Sequence, residues 1–98
     1  MLNLQDKDLL RQQCLINGEW VGADDGTTND VTNPADGAVI GEVPRLGEAE
    51  TLRAIEGAER AMLEWRRKTA KERALLLRRW HGLMLEHQED LAALMTAE

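Results

Sequence analysis

The spacing of apolar residues changes at Glu48, and this change constrains the fold of the chain more than any other feature. Before Glu48, short apolar runs such as 15–16 and 39–43 alternate with turn residues, which is typical of short strands. After it, apolar residues recur every three or four positions in one stripe, which is typical of a helix. The stripe consists of Leu52, Ile55, Ala58, Met62 and Trp65. We therefore predict the α+β fold class, with a short β-hairpin or meander followed by three helices.

The dipeptide Asn17-Gly18 predicts a tight β-hairpin. It lies between the apolar pairs Leu15-Ile16 and Trp20-Val21, and both of its residues tolerate the positive φ angles that a two-residue hairpin loop needs. Upstream, residues 6–13 are predicted to form one or two helical turns, although a helix this short is marginal by itself.

A second turn is predicted at Asn33-Pro34-Ala35-Asp36-Gly37, because proline fixes φ and Asp and Gly suit the later turn positions. This turn separates a short strand at 30–32 from a clearer strand at 39–43, which Pro44 ends. The polar, glycine-containing stretch 22–29 is predicted to be a loop.

The helical part carries its own start signals. Thr69 and Glu72 fit the capping-box pattern, so a second helix is predicted to begin after Thr69 and to run to about Glu86. A third helix is predicted to open at 87–90, where acidic residues suit the helix dipole. Gly57 lies inside the first helix and predicts close helix packing, since glycine is otherwise unfavourable there. The apolar faces of the later helices comprise Ala74, Leu76, Leu77, Trp80, Leu83, Met84, Leu91, Leu94 and Met95.

Charge and composition exclude several classes of protein. The net charge of −6 argues against general affinity for nucleic acids. Cys14 is the only cysteine, so no internal disulfide is possible, which fits a reducing compartment. No stretch approaches the length of a membrane span, and the start does not read as a secretory signal. We therefore predict a soluble cytoplasmic protein.

The sequence offers a candidate nucleophile and a candidate zinc site, and each also has an ordinary structural explanation. Cys14 could be a nucleophile, but nothing nearby supplies a base, and a small buried thiol at the head of a strand is preferred. His81 and His87 could bind zinc together with Glu86 or Glu89. Their six-residue spacing places the two imidazoles on different helix faces, so solvated histidines are preferred.

A basic cluster lies in the helical half of the chain. Residues 51–98 contain nine basic and eight acidic residues, whereas residues 1–50 contain three basic and ten acidic residues. A phosphate or nucleic-acid patch is conceivable, but Glu64 and Glu72 interrupt it and no aromatic residue is interleaved for stacking. A solvated or subunit-contact face is preferred. No glycine-rich phosphate loop is present in the sequence. The cluster comprises Arg66, Arg67, Lys68, Lys71, Arg73, Arg78 and Arg79.

Five short motifs in a fixed order resemble the N-terminal stretch of the NAD(P)-dependent aldehyde dehydrogenases. The resemblance runs from about Leu10 to Glu98. Three further segments, Leu10–Gln13, Arg78–Trp80 and Leu91–Glu98, look most like the bacterial succinate-semialdehyde dehydrogenases. The five motifs are Ile16–Trp20, Val31–Gly37, Trp65-Arg66, Thr69–Arg73 and Glu89–Ala92.

The resemblance implies an enzyme that oxidises an aldehyde, in particular succinate semialdehyde, to its acid with NAD(P)⁺. In that family the catalytic cysteine, glutamate and asparagine lie beyond the equivalent of Glu98, and Cys14 does not correspond to the catalytic cysteine. We therefore assign no catalytic, cofactor-binding or metal-binding residue. A monovalent-cation site of some family members would map to Val31 and Thr32, but its other ligands lie in later sequence and it stays unassigned.

The resemblance also implies a domain organisation. Residues 1–98 would form a single partial domain in the outer part of the cofactor domain, with an N-terminal arm and short strands at 1–47 and a helical part at 48–98. The isolated chain is expected to be an inactive fragment that binds no NAD(P)⁺, and the parent enzyme a homo-oligomer that binds neither nucleic acid nor membrane.

The alternative is a self-standing helical module for protein interaction. Under either interpretation we predict self-association, because the helical faces exceed what a short hairpin can cover. These faces include Leu52, Ile55, Trp65, Leu76, Trp80 and Leu83.

Overall fold

A computed structural model describes residues 2–98 of the chain. The order of elements confirms the predicted α+β class, with short strands first and helices after them. Within the described residues the elements are a 3₁₀ turn (Lys7–Leu9), strands β1 (Cys14–Ile16), β2 (Glu19–Val21), β3 (Thr28–Thr32) and β4 (Val39–Pro44), and helices α1 (Glu48–Trp65), α2 (Ala70–Glu86) and α3 (Gln88–Ala97).

The strands of residues 2–98 form two separate antiparallel pairs, β1–β2 and β3–β4, so the two hairpins are not joined into one meander. The loop between β2 and β3 turns back on itself. Asp25 Oδ1 accepts the backbone N–H of Thr27 at 3.0 Å and its hydroxyl at 2.7 Å. The N–H of Gly26 donates to the carbonyl of Ala23 at 3.0 Å. These local bonds form a tight turn between the two hairpins.

The first hairpin is confirmed at Asn17-Gly18. Ile16 pairs with Glu19, which leaves Asn17 and Gly18 as the loop. Their φ angles of 52° and 77° are both positive, as a type I′ turn requires.

The second turn is also confirmed, and its side chains explain its composition. Asn33 Oδ1 accepts the N–H of Ala35, and Asp36 Oδ1 accepts the N–H of Ala38, both at 2.9 Å. The strands on either side are longer than predicted at one end each. β3 begins at Thr28, which pairs with Pro44 at the last position of β4.

The N-terminal segment corrects one prediction. Instead of one or two helical turns over 6–13, only Lys7–Leu9 forms a 3₁₀ turn, which the side chain of Asp6 caps through the N–H of Asp8 at 3.0 Å. The chain then extends toward β1, and Gln12 Oε1 accepts the N–H of Glu42 on β4 at 3.0 Å. The segment is therefore joined to a distant strand after a single 3₁₀ turn.

The capping box of α2 is confirmed by two reciprocal hydrogen bonds. The N–H of Glu72 donates to the Thr69 hydroxyl at 3.2 Å, and the N–H of Thr69 donates to the Glu72 carboxylate at 2.7 Å. α3 begins at Gln88, after His87 breaks the helical path with φ −102° and ψ 20°.

The described residues have almost no apolar core. Among them the buried hydrophobic side chains are Leu4 and Ala97, whereas Leu76 and Trp80 are 47% and 60% exposed. The radius of gyration is 16.5 Å, compared with roughly 13 Å for a compact chain of this length. As expected from the sequence, the short strands leave the apolar faces of α1 and α2 uncovered within residues 2–98.

Candidate functional site

A partly buried polar cluster joins the N-terminal segment to α3. Asp90, in the first turn of α3, is only 6% exposed. Its Oδ1 accepts the backbone N–H of Gln5 at 2.9 Å, and its Oδ2 accepts the backbone N–H of Asp6 at 2.8 Å. We call this arrangement of Gln5, Asp6 and Asp90 the Asp90 clasp.

The electrostatics of the Asp90 clasp favour the ionised carboxylate. The N–H groups of Asp6 and Gln5 hold the pKa of Asp90 below its ordinary value, and nearby His87 acts in the same direction, while burial opposes them. The N–H of His87, at the junction before α3, donates to the carbonyl of Leu83 at 3.1 Å.

A shallow depression borders the Asp90 clasp, and its chemistry is mostly acidic. Both carboxylate oxygens of Asp90 are already used as acceptors, so the clasp is a structural tether and offers no free catalytic group. The depression is lined by Gln5, Asp6, Glu86, His87, Glu89 and Asp90.

A second close contact joins the first hairpin to α1. Gly57 is buried, and a Cβ placed on it would lie 3.3 Å from both Cβ and Oδ1 of Asn17. The close approach predicted at Gly57 therefore exists, but its partner is the hairpin loop and not another helix. Glycine fits here because any side chain would press on Asn17.

A mixed-charge depression lies beside this contact. Arg53 on α1 forms an ion pair with Asp24 at 2.6 Å, and both side chains are at least half exposed. Glu56 and Arg60 line the α1 side, and Glu19 lines the hairpin side. Exposed pairs of this kind contribute little to stability and do not define a reaction.

The structure keeps the predicted candidate residues apart. Cys14 is a half-buried thiol at the start of β1, paired with Val21 on β2. His81 is exposed in the body of α2, and His87 lies at the junction with α3. Within the range 2–98, no group of three or more His, Cys, Asp or Glu side chains could hold a metal ion. Val31 and Thr32 lie on β3 at an irregularity in the register with β4.

The basic cluster is spread over several turns of chain. Arg66, Arg67 and Lys68 occupy the connection between α1 and α2, and Arg78 and Arg79 lie further along α2; all five are exposed. No helix in the described part of the chain is long and apolar enough to cross a membrane.

The junction between β4 and α1 does not form a cradle for the phosphates of a dinucleotide. Gly47 stands at the N-cap of α1, a position where an anion could bind. The carboxylate of Glu50, itself 6% exposed, already accepts the N–H of Gly47 at 3.1 Å. A phosphate at this end would meet that buried negative charge, so these residues do not fit NAD(P)⁺.

Sequence reasoning missed the residues that make these contacts. The three-residue spacing of Gly47 and Glu50 is a local signal that could have indicated the bond at the start of α1. Asp90 had no such signal, because its partners lie 84 and 85 positions away.

Comparison with known proteins gives a consistent result. The model of the aldehyde dehydrogenase family matches residues 20–98. Glutarate-semialdehyde dehydrogenase of Pseudomonas putida is 60% identical over 97 residues, which are 99% of this chain and 20% of that protein. NADP(+) succinate-semialdehyde dehydrogenase of Escherichia coli is 57% identical over 97 residues, again 99% of this chain and 20% of that protein.

Two further matches extend the comparison. 3-Sulfolactaldehyde dehydrogenase of Pseudomonas putida is 58% identical over 98 residues, which are 100% of this chain and 20% of that protein. A crystal structure of an NADP-dependent enzyme of Escherichia coli superposes with a TM-score of 0.96 at 57% identity, covering 98% of this chain and 20% of that one. The chain thus spans about a fifth of the length of the curated relatives it matches.

Proposed function

The chain belongs to the aldehyde dehydrogenase family, and from this premise we propose that it forms the N-terminal part of a semialdehyde dehydrogenase. The whole enzyme would oxidise a short aldehyde with a second anionic group to the corresponding acid, using NAD(P)⁺ as the hydride acceptor. The observation that carries the proposal is the 57–60% identity to three such dehydrogenases over nearly the full chain.

The named substrates of these relatives share one chemical form. Succinate semialdehyde and glutarate semialdehyde carry a carboxylate at the end opposite the aldehyde, and 3-sulfolactaldehyde carries a sulfonate. We propose this class, a short aldehyde with a distal anion, as the substrate of the whole enzyme. Succinate semialdehyde is our preferred member because of the resemblance in the sequence.

We propose that the chain itself has a structural role in the enzyme. Residues 1–47 would supply an arm and short strands, and residues 48–98 the helical outer part of the cofactor domain. The Asp90 clasp, the contact of Gln12 with β4 and the contact of Asn17 with Gly57 support this role, since each fixes one element against another. The isolated chain is proposed to be inactive and to bind no nicotinamide cofactor.

We further propose that the parent is a homo-oligomer in the cytoplasm, independent of nucleic acid and membrane. The exposed apolar faces of α1 and α2 support association, either with a second copy or with the rest of the polypeptide. The same faces would also suit a self-standing interaction module. Sequencing the gene beyond codon 98 distinguishes the enzyme from the interaction module. The sequence Gly-Lys-Pro soon after this codon would support the enzyme, and a stop codon would support the module.

The test is an assay of the intact protein with each of the three anionic aldehydes and with uncharged butyraldehyde, using NAD⁺ or NADP⁺. We expect reduced nicotinamide to form with at least one anionic aldehyde, at a kcat/KM well above that for butyraldehyde. Equal use of butyraldehyde would contradict the substrate class, and no reduction with any aldehyde would contradict the proposed activity. The 98-residue polypeptide is the matched control and is expected to give no turnover.

A further inference from the structure

The Asn17-Gly18 loop carries an inference that does not depend on the proposed function. We propose that Asn17 is a site of spontaneous deamidation, and that the β1–β2 turn reaches the reactive geometry by a flip of a single peptide group. The product is an aspartyl or isoaspartyl residue at position 17.

The residue after each asparagine determines which one can react. In this reaction the backbone nitrogen of the next residue attacks the asparagine side chain, so a following side chain hinders it and a following proline, which has no N–H, prevents it. Asn17 precedes Gly18, the residue without a Cβ. The other asparagines precede larger residues, in Asn3-Leu4, Asn29-Asp30 and Asn33-Pro34.

The observed turn lies one peptide flip away from the reactive geometry. Both loop residues have positive φ, which is the type I′ conformation. In the alternative type II′ turn, the mirror image of type II, the first residue has φ about +60° and ψ about −120°, and the second has φ about −80°. A ψ near −120° turns the nitrogen of Gly18 toward the side of Asn17 that carries its Cβ and side-chain amide.

The conformational freedom of Gly18 and the open space around it favour this flip, whereas the type II′ geometry costs more for asparagine than for glycine at the first loop position. Glycine adopts negative and positive φ about equally well, so Gly18 can move to the φ that the type II′ turn requires. A Cβ built on Gly18 would meet no atom within 4 Å, so the space around the loop is open. Both primed turns fit the same flanking strands, so the pairing of Ile16 with Glu19 can persist during the flip.

The side-chain amide of Asn17 is accessible, although its contact with Gly57 has to be released before the ring can close. Asn17 is exposed, and its amide makes no hydrogen bond within residues 2–98, although its Oδ1 lies close to Gly57. Asn33 offers a contrast, because its Oδ1 accepts the N–H of Ala35 at 2.9 Å.

The chemistry needs only water and a base. The Gly18 amide loses its proton to hydroxide or a buffer base, and its nitrogen forms a bond to Cγ of Asn17. The Cγ–Nδ2 bond breaks, ammonia leaves, and a five-membered succinimide remains. Water then opens the ring. Addition at Cγ breaks the bond from Cγ to the Gly18 nitrogen and gives aspartate; addition at the backbone carbonyl carbon breaks the bond from that carbon to the nitrogen and gives isoaspartate, in which the chain runs through the side chain.

The isoaspartyl product would loosen the hairpin from α1. It adds one carbon to a loop that holds two residues in the type I′ turn, so the loop no longer matches the twist of β1 and β2. It also places a new carboxylate in the mixed-charge depression, whose charged lining is Glu19, Asp24, Arg53, Glu56 and Arg60. The side chain that now rests on Gly57 is lost.

The experiment is incubation of the intact, folded protein in mildly alkaline buffer, followed by peptide mapping by mass spectrometry and labelling with an isoaspartyl methyltransferase. We expect the peptide with Asn17 to gain one mass unit at least roughly tenfold faster than the peptides with Asn3 or Asn29, equivalent to a barrier lower by about 1.4 kcal/mol. The matched control is Asn17→Gly, which suits the positive φ of the turn and removes the reactive amide.

The outcomes distinguish the proposal from its alternatives. Loss of both the mass gain and the label from the peptide that spans residue 17 in Asn17→Gly, with the other asparagines unchanged, supports it; label in the peptides with Asp25-Gly26 or Asp36-Gly37, which form the same succinimide without a mass gain, is not counted. Modification at Asn17 no faster than at Asn29 overturns it. Modification that appears only after denaturation also overturns it, because the folded turn would then not reach the reactive geometry.

Discussion

The backbone N–H of Asp6 donates to the carboxylate of Asp90 at 2.8 Å, although the two residues lie 84 positions apart in the sequence. Gln5 makes a parallel bond to the other carboxylate oxygen. Two successive amides thus bind one ionised carboxylate, and charge-assisted bonds of this kind are stronger than neutral ones. The N-terminal segment, residues 2–10, is fixed to α3 by this pair and by few other polar contacts.

Replacing Asp90 by asparagine is expected to release the N-terminal segment. The Asp90→Asn side chain keeps one acceptor oxygen, but its NH₂ group faces the second backbone N–H and cannot accept from it. We expect hydrogen exchange at the amides of Gln5 and Asp6 to rise toward the rate of an unstructured chain. Glu89→Gln removes the same charge from the neighbouring position and is the control, which should leave both amides protected.

The Asp90 clasp is also expected to open at acid pH. Because the folded-state pKa of Asp90 is lowered, its stabilisation is complete above the ordinary aspartate pKa of about 3.9 and is lost as pH falls through the lower folded value. An NMR titration should show the amide shifts of Gln5 and Asp6 constant from neutrality to that range and changing below it. The same titration in Asp90→Asn should lack this step, and its persistence there would assign the change to another group.

Local sequence signals were sufficient for most of the secondary structure. The Asn17-Gly18 loop, the Asn33 turn and the Thr69–Glu72 capping box all involve residues within a few positions of each other. Their geometry is set by short-range sterics and hydrogen bonds, so the sequence predicts them directly.

Contacts between distant segments could not be predicted in the same way. The partners of Asp90, Gln12 and Gly57 belong to other elements, and no residue spacing encodes which elements will meet. Of the one or two helical turns expected at 6–13, only the 3₁₀ turn at Lys7–Leu9 forms, and the chain beyond it contacts β4 through Gln12.

The contribution of the α2 capping box to the stability of the protein can be measured by substitution of Thr69. Thr69→Ala removes the hydroxyl that accepts the N–H of Glu72. We expect the free energy of unfolding to fall by about 1 kcal/mol, measured by denaturant titration. Thr69→Ser keeps the acceptor oxygen and should lose only a small part of this, so an equal loss in both variants would mean that the methyl group and not the cap is responsible.

The contact between Gly57 and Asn17 is expected to appear as an energetic coupling. Gly57→Ala improves helix propensity by about 1 kcal/mol, but its Cβ would lie 3.3 Å from the Asn17 side chain, closer than ordinary contact. We therefore expect little or no gain in the free energy of unfolding when Asn17 is present. In the Asn17→Gly background, which keeps the positive φ of the turn and removes the side chain, the same substitution should stabilise by about 1 kcal/mol.

The difference between the two effects in a double-mutant cycle is the coupling between hairpin and helix. A full gain with Asn17 in place would show that its side chain moves aside without cost, and that Gly57 is not required for the hairpin to lie on α1.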